Sequence, residues 1–83
     1  MALNFPNPSR SYDPSRHCVC FWGYDSSREI SFEVDRAVLS TLSPELRPDE
    51  PAVLEAFDRH RDHILELARG LYSRSRQNRY TIS

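Results

Sequence analysis

Residues 29–35, Glu-Ile-Ser-Phe-Glu-Val-Asp, alternate polar and apolar without a break, and a period of two is the mark of a half-buried strand. Residues 17–24, His-Cys-Val-Cys-Phe-Trp-Gly-Tyr, are rich in aromatic and β-branched types. With Asp25-Ser26-Ser27-Arg28 between them as a four-residue loop, the two runs form a hairpin. If Tyr24 faces Glu29, then Val19 meets Val34, Phe21 meets Phe32 and Gly23 meets Ile30 on one face, which is the core. The opposite face then sets Cys18, Cys20, Trp22 and Tyr24 against Asp35, Glu33, Ser31 and Glu29. Thiols, aromatics and acids mix on it.

The rest of the chain supplies helices and short pieces. Residues 4–16 carry three prolines and many turn formers and read as an irregular lead-in, with Leu3 to Phe5 adding a short edge strand. Ala37, Val38, Leu39 and Leu42 suit a short helix over 35–42 that Pro44 ends. A main helix is expected from about Glu50 to about Arg74, with Asp49 as N-cap and Pro51 in its first turn. Its apolar stripe is Val53, Leu54, Phe57, Ile64, Leu67, Ala68 and Leu71, at three- and four-residue steps once His60 is counted between Phe57 and Ile64. Tyr80-Thr81-Ile82 reads as a final strand with Tyr80 and Ile82 on one side. The order argues for a single domain, 1–83, of the α+β class: a small antiparallel sheet with a short and a long helix on one face.

Composition removes several activities. The chain has 83 residues, no lysine, and two distant glycines, Gly23 and Gly70, so neither a Walker-type phosphate loop nor a dinucleotide fingerprint can be built. Schiff-base lysine chemistry is excluded with them. No run approaches the ~20 apolar residues of a membrane span, and residues 1–8 lack the pattern of an export signal, so a cytoplasmic protein is expected. Cys18 and Cys20 stand i and i+2 on a strand, about 6.5–7 Å apart, and are expected to be reduced.

No acid–base or metal constellation is expected. Cys18, Cys20, His60 and His63 have C-x-C and H-x2-H spacings, each one residue short of the usual zinc-finger pattern. Both thiols project from the sheet face opposite the helices, which also separates them from His60 as a catalytic partner. His60, three residues after Phe57, reads as a partly buried imidazole satisfied by a carbonyl or carboxylate. Glu29 and Glu33 share a face but lie about 13 Å apart, beyond the reach of glycosidase pairs. No catalytic residue, cofactor or metal is therefore assigned.

Two binding surfaces remain. Charge is uneven: residues 29–58 hold 8 acids and 2 arginines, whereas residues 59–83 hold 6 arginines and 2 acids. The C-terminal stretch interleaves Arg69, Arg74, Arg76 and Arg79 with Tyr72 and Tyr80, a composition that can grip phosphates and stack bases. Against that, the net charge is −1 and the pI about 6.3. The preferred reading is a non-catalytic module that binds a protein partner or itself through the outer sheet face at Cys20, Trp22 and Tyr24. Nucleic-acid binding through the four arginines is the alternative.

Phe5-Pro6-Asn7-Pro8-Ser9-Arg10-Ser11-Tyr12-Asp13, then Arg16, Val19, Phe21-Trp22-Gly23, Ile30 and Phe32, and Phe57-Asp58, Arg61, Ile64, Ala68 and Tyr72 together resemble the small bacterial proteins of domain-of-unknown-function family 1488. The resemblance implies a compact α+β domain of the bacterial cytoplasm and carries no activity. It marks Arg61 as the family's helix arginine and Cys18 and Cys20 as departures from the family's pattern.

Overall fold

The computed structural model describes residues 3–6 and 9–83. The elements are β1 (Leu3–Asn4), β2 (Arg10–Asp13), β3 (Cys18–Asp25), β4 (Arg28–Asp35), α1 (Arg36–Leu42), α2 (Glu50–Arg59), α3 (Arg61–Arg74) and β5 (Arg79–Ile82). They build an α+β fold: one sheet in the order β1-β3-β4-β5, with β2 also on β3, and all three helices in one layer. β1 and β2 follow one another along the same edge of β3, β1 opposite Tyr24 and Asp25 and β2 opposite Cys18 to Phe21.

The hairpin has the register expected from the alternation. Val19 pairs with Val34, Phe21 with Phe32, Gly23 with Ile30 and Tyr24 with Glu29. The ladder runs one pair further, Asp25 to Arg28, so the connection is Ser26-Ser27 rather than four residues. Ser26 takes the left-handed conformation (φ 58°) that tight hairpin turns require. Across the register, Phe21, Phe32 and Tyr80 stack as a cross-strand ladder: centroids are 5.3 Å apart at each step, with interplanar angles of 16° and 14°. Phe57 from α2 meets Phe21 at 5.2 Å, and Phe5 closes over Phe21 and Phe32.

Three expectations need correction. The lead-in is not irregular throughout, because β2 forms over Arg10–Asp13 and ends just before Pro14, whose ring therefore has no ladder bond to donate. The sheet is mixed rather than antiparallel: β5 runs parallel to β4, with Ser31 opposite Arg79 and Val34 opposite Ile82. The reason is the connection, since a crossover through a helical layer returns the chain to the end where the previous strand began. Third, the single long helix is two helices that meet at His60, whose φ −105° and ψ 18° leave the helical region. A straight helix over 50–74 would run about 37 Å, beyond the roughly 26 Å reach of the eight-residue strands beneath it. The break lets α2 cover β2 and β3 while α3 covers β5.

Local contacts hold these pieces. Asp49 caps α2 by accepting from the Ala52 amide at 3.2 Å, and Pro51 sits in the first turn. Arg10 forks onto Asp58, its Nε donating to Oδ1 at 3.0 Å and its Nη2 to Oδ2 at 2.8 Å, which ties β2 to α2. Arg61 lies over the Phe57 ring at 5.0 Å and reaches the same carboxylate. At the other end, the buried Tyr72 hydroxyl donates to Asp25 Oδ2 at 2.5 Å. That bond, with burial and the carboxylate's charge, raises the phenol's pKa although Arg28 and Arg76 pull it down. A raised phenol pKa favours the neutral folded form, so its contribution is whole below about pH 10 and is lost as pH climbs past it. Alkaline melting curves should therefore fall more steeply for the native chain than for Tyr72→Phe. Equal slopes above pH 10 would show that the bond carries no such linkage.

Candidate functional site

All three helices lie against one side of the sheet, and the other side is uncovered by any element among the described residues. The strand period fixes what that outer face shows: Ser11 and Asp13 on β2, Cys18, Cys20, Trp22 and Tyr24 on β3, Glu29, Ser31, Glu33 and Asp35 on β4, Arg79 and Thr81 on β5. The face divides into two parts.

The first part is built on Glu33, which is 4% exposed despite facing away from the core. A buried carboxylate requires partners, and it has two. Arg16 Nη1 donates to Oε2 at 2.7 Å and Arg79 Nη2 donates to the same oxygen at 2.6 Å. Arg16 is aimed there by the turn before β3, in which Asp13 Oδ1 accepts from the Ser15 amide at 3.0 Å, the Ser15 hydroxyl at 2.7 Å and the Arg16 amide at 3.3 Å. Those bonds hold the Asp13 carboxyl below the usual carboxylate range. His17 ends the turn in the left-handed conformation (φ 52°), and its carbonyl accepts from the Arg36 amide. Cys18 is 1% exposed beside this clamp, and Cys20 is half-buried. Burial first, then Cys20 and the charge of Glu33, push the Cys18 thiol up to about 12, so it stays protonated and weakly nucleophilic at neutral pH.

The second part is aromatic. Trp22 and Tyr24, both half-buried, line with Ser9 and Glu29 a shallow hollow of about 340 Å³. Tyr24 donates its hydroxyl to Glu29 Oε2 at 3.3 Å, and the carboxylate in turn raises the phenol's pKa. A ring face beside an ionised carboxylate is the chemistry that receives a cationic side chain.

Cys20, Trp22 and Tyr24 thus share one face. The four arginines do not. Arg79 is bound to Glu33 on the outer face, Arg69 lies over the Phe5 ring at 5.2 Å on the helix side, Arg74 borders a separate hollow beside β5, and Arg76 follows the end of α3, where its charge acts on Tyr72. The thiols are likewise apart from His60, which sits at the α2–α3 break with its Nε2 hydrogen-bonded to Ser43 Oγ at 3.2 Å. Its partner is a hydroxyl rather than a carbonyl or carboxylate. The pair borders a cavity of about 470 Å³ whose charged lining includes Glu55 and Arg59, bonded to each other at 3.2 Å. Glu33 is the residue that sequence reasoning passed over. Its signal is faint, an acid opposite Cys20 with Arg16 in the turn before β3 and Arg79 at the start of β5, and only the β4–β5 pairing brings Arg79 to it.

Fold and site define a small α+β domain with helices on one sheet face and a bare, mixed acidic and aromatic surface on the other. The family of proteins of unknown function DUF1488 matches residues 3–83, and this chain belongs to that family. The crystal structure of a protein of unknown function from the DUF1488 family of Shewanella loihica PV-4 superposes with a TM-score of 0.86, covering 99% of this chain and 94% of that one at 20% sequence identity. At that identity the likeness concerns the fold. No curated protein matches the chain. Among the described residues no helix is long and apolar enough to cross a membrane.

Proposed function

We propose that this protein is a non-catalytic interaction module whose outer sheet face receives a basic segment of a partner protein. The observation that carries the reading is the hollow between Trp22, Tyr24 and Glu29 on the uncovered face. A guanidinium or ammonium seated there would lie against the rings and pair with Glu29, while Cys20 and the Glu33 clamp form the neighbouring contact surface. Asp13, Glu29, Glu33 and Asp35 outnumber Arg16 and Arg79 on this face. A second copy presenting the same face would bring like charges together, so a partner of opposite sign fits better. In this reading the protein works in a bacterial cytoplasm, which its two unbridged thiols suit.

Calorimetric titration with an arginine-rich peptide tests this. Saturable binding is expected, weakened roughly tenfold by Trp22→Ala and by Glu29→Gln. A flat titration of the native chain, or variants that bind as it does, would overturn the proposal. Binding to nucleic acid through Arg69, Arg74, Arg76 and Arg79 draws less support, because Arg69 and Arg79 already hold partners within the chain. A short RNA in place of the peptide, giving a complex that weakens steeply with salt, would favour it instead.

A further inference from the structure

Among the described residues the sheet ends at β5, whose outer edge no other strand pairs. The Ser31 amide donates to the carbonyl of Asn78 at 2.9 Å, so in this parallel ladder the main-chain groups of residues 78, 80 and 82 face β4. Those of Arg79, Thr81 and Ser83 point away from it. Beside this edge lies a hollow of about 390 Å³, floored by Ile82 and walled by Val38, Leu67 and Leu71. Leu67, 38% exposed, is the one large apolar side chain left exposed among the described residues. Charge is arranged around it in a self-complementary way. Glu66, Gly70 and Arg74 follow at four-residue steps along α3, so they form one ridge with Gly70 at its midpoint. Glu66 and Arg74 have no ion-pair partner in their own chain among the described residues. A side chain at position 70 would meet nothing within 4 Å, so the ridge is open to a close approach.

From this we infer that a second copy of the chain docks edge to edge at β5, antiparallel, about a two-fold axis through Thr81. Alternation selects that axis. Thr81 opposite Thr81 exchanges both outward main-chain bonds, sets Arg79 against Ser83, and keeps Tyr80 and Ile82 on the helix side of a sheet that now runs through both copies. The same rotation lays α3 against its counterpart with the two Gly70 positions at the crossing. Glu66 of each copy then faces Arg74 of the other, which is the isologous pattern a two-fold interface requires. Leu67 and Leu71 leave water together over the already buried Ile82. The inference uses a different surface from the proposed peptide site and does not rest on it.

Sedimentation of the full chain across a concentration series is the test, with far-UV dichroism and thermal melting as controls on folding. A dimer is expected, in roughly the micromolar range for a patch this small. Glu66→Arg and Arg74→Glu should each weaken it about tenfold, because the two-fold axis repeats the Glu66–Arg74 contact and each substitution alters both, and the two together should restore it to within about threefold. Thr81→Pro removes an outward amide while sparing those that face β4, and should abolish the dimer with the dichroism spectrum unchanged. A chain that stays monomeric up to several hundred micromolar overturns the inference. So does a dimer indifferent to the charge reversals. Should Thr81→Pro fail to fold, the charge swap decides alone.

Discussion

Replacing Phe32 by alanine is expected to bring the domain to the edge of unfolding. The side chain is wholly buried on the central strand, stacked on Phe21 on one side and Tyr80 on the other, with the Phe5 ring 5.7 Å away. Removal of a buried phenyl group loses its transfer free energy and leaves a cavity that this ladder cannot close, because both stacking partners are fixed by main-chain pairing on either side. The loss should be about 3–5 kcal/mol. Domains are stable by roughly 0.05–0.15 kcal/mol per residue, about 4–12 kcal/mol for a chain of this length. The substitution therefore consumes at least about a quarter of the total. Urea denaturation followed by dichroism would measure it, and a loss below about 1.5 kcal/mol would show that the ladder is not the centre of the core.

The second large effect comes from adding atoms. A methyl group at Gly23 would stand 2.8 Å from Phe5 Cε1, 3.0 Å from Leu3 Cδ1 and 3.1 Å from the Asn4 carbonyl oxygen. The ring cannot step aside without opening its contacts with Phe21 and Phe32, and the carbonyl belongs to the strand paired with β3. Gly23→Ala should cost about 1–3 kcal/mol, and Gly23→Val more, through loss of β1 from the sheet edge. Trypsin cleavage after Arg10 should accelerate in step with the lowered stability. Unchanged melting in both variants would mean that residues 3–5 do not pack over Gly23 as described.

The parts of the fold that sequence reasoning reached are those set by neighbours in the chain. Alternation over residues 17–35 fixes which side chains share a face, and setting Tyr24 opposite Glu29 at the turn then fixes every other pair in the hairpin. Asp49 followed by Pro51 marks a helix start for equally local reasons. What was not legible depends on distant residues. Phe57 and Ile64, the apolar positions flanking His60, stand seven residues apart and so keep one helical phase across it, which hides a break that is set by the reach of the sheet below. The direction of β5 depends on how three helices return the chain. Its misassignment also hides the clamp on Glu33, because Arg79 reaches that carboxylate only when β5 lies parallel to β4. Cys18 reads as an outward-facing small residue and is nevertheless buried, as the neighbour of that clamp. On the outer face, the grouping of Cys20, Trp22 and Tyr24 follows from the hairpin alone, whereas the dispersal of Arg69, Arg74 and Arg79 required the whole fold.

Pairing β5 with β4 closes a loop around the entire helical layer, and closing a loop of that length carries an entropy cost that only packed helices beneath it can return. The hairpin draws its contacts from adjacent chain and can nucleate as soon as both of its strands exist, with α2 and α3 settling onto it afterwards. β5 is therefore expected to pair late, and in the finished fold its two inward side chains, Tyr80 and Ile82, lock α3 onto the sheet like a keystone.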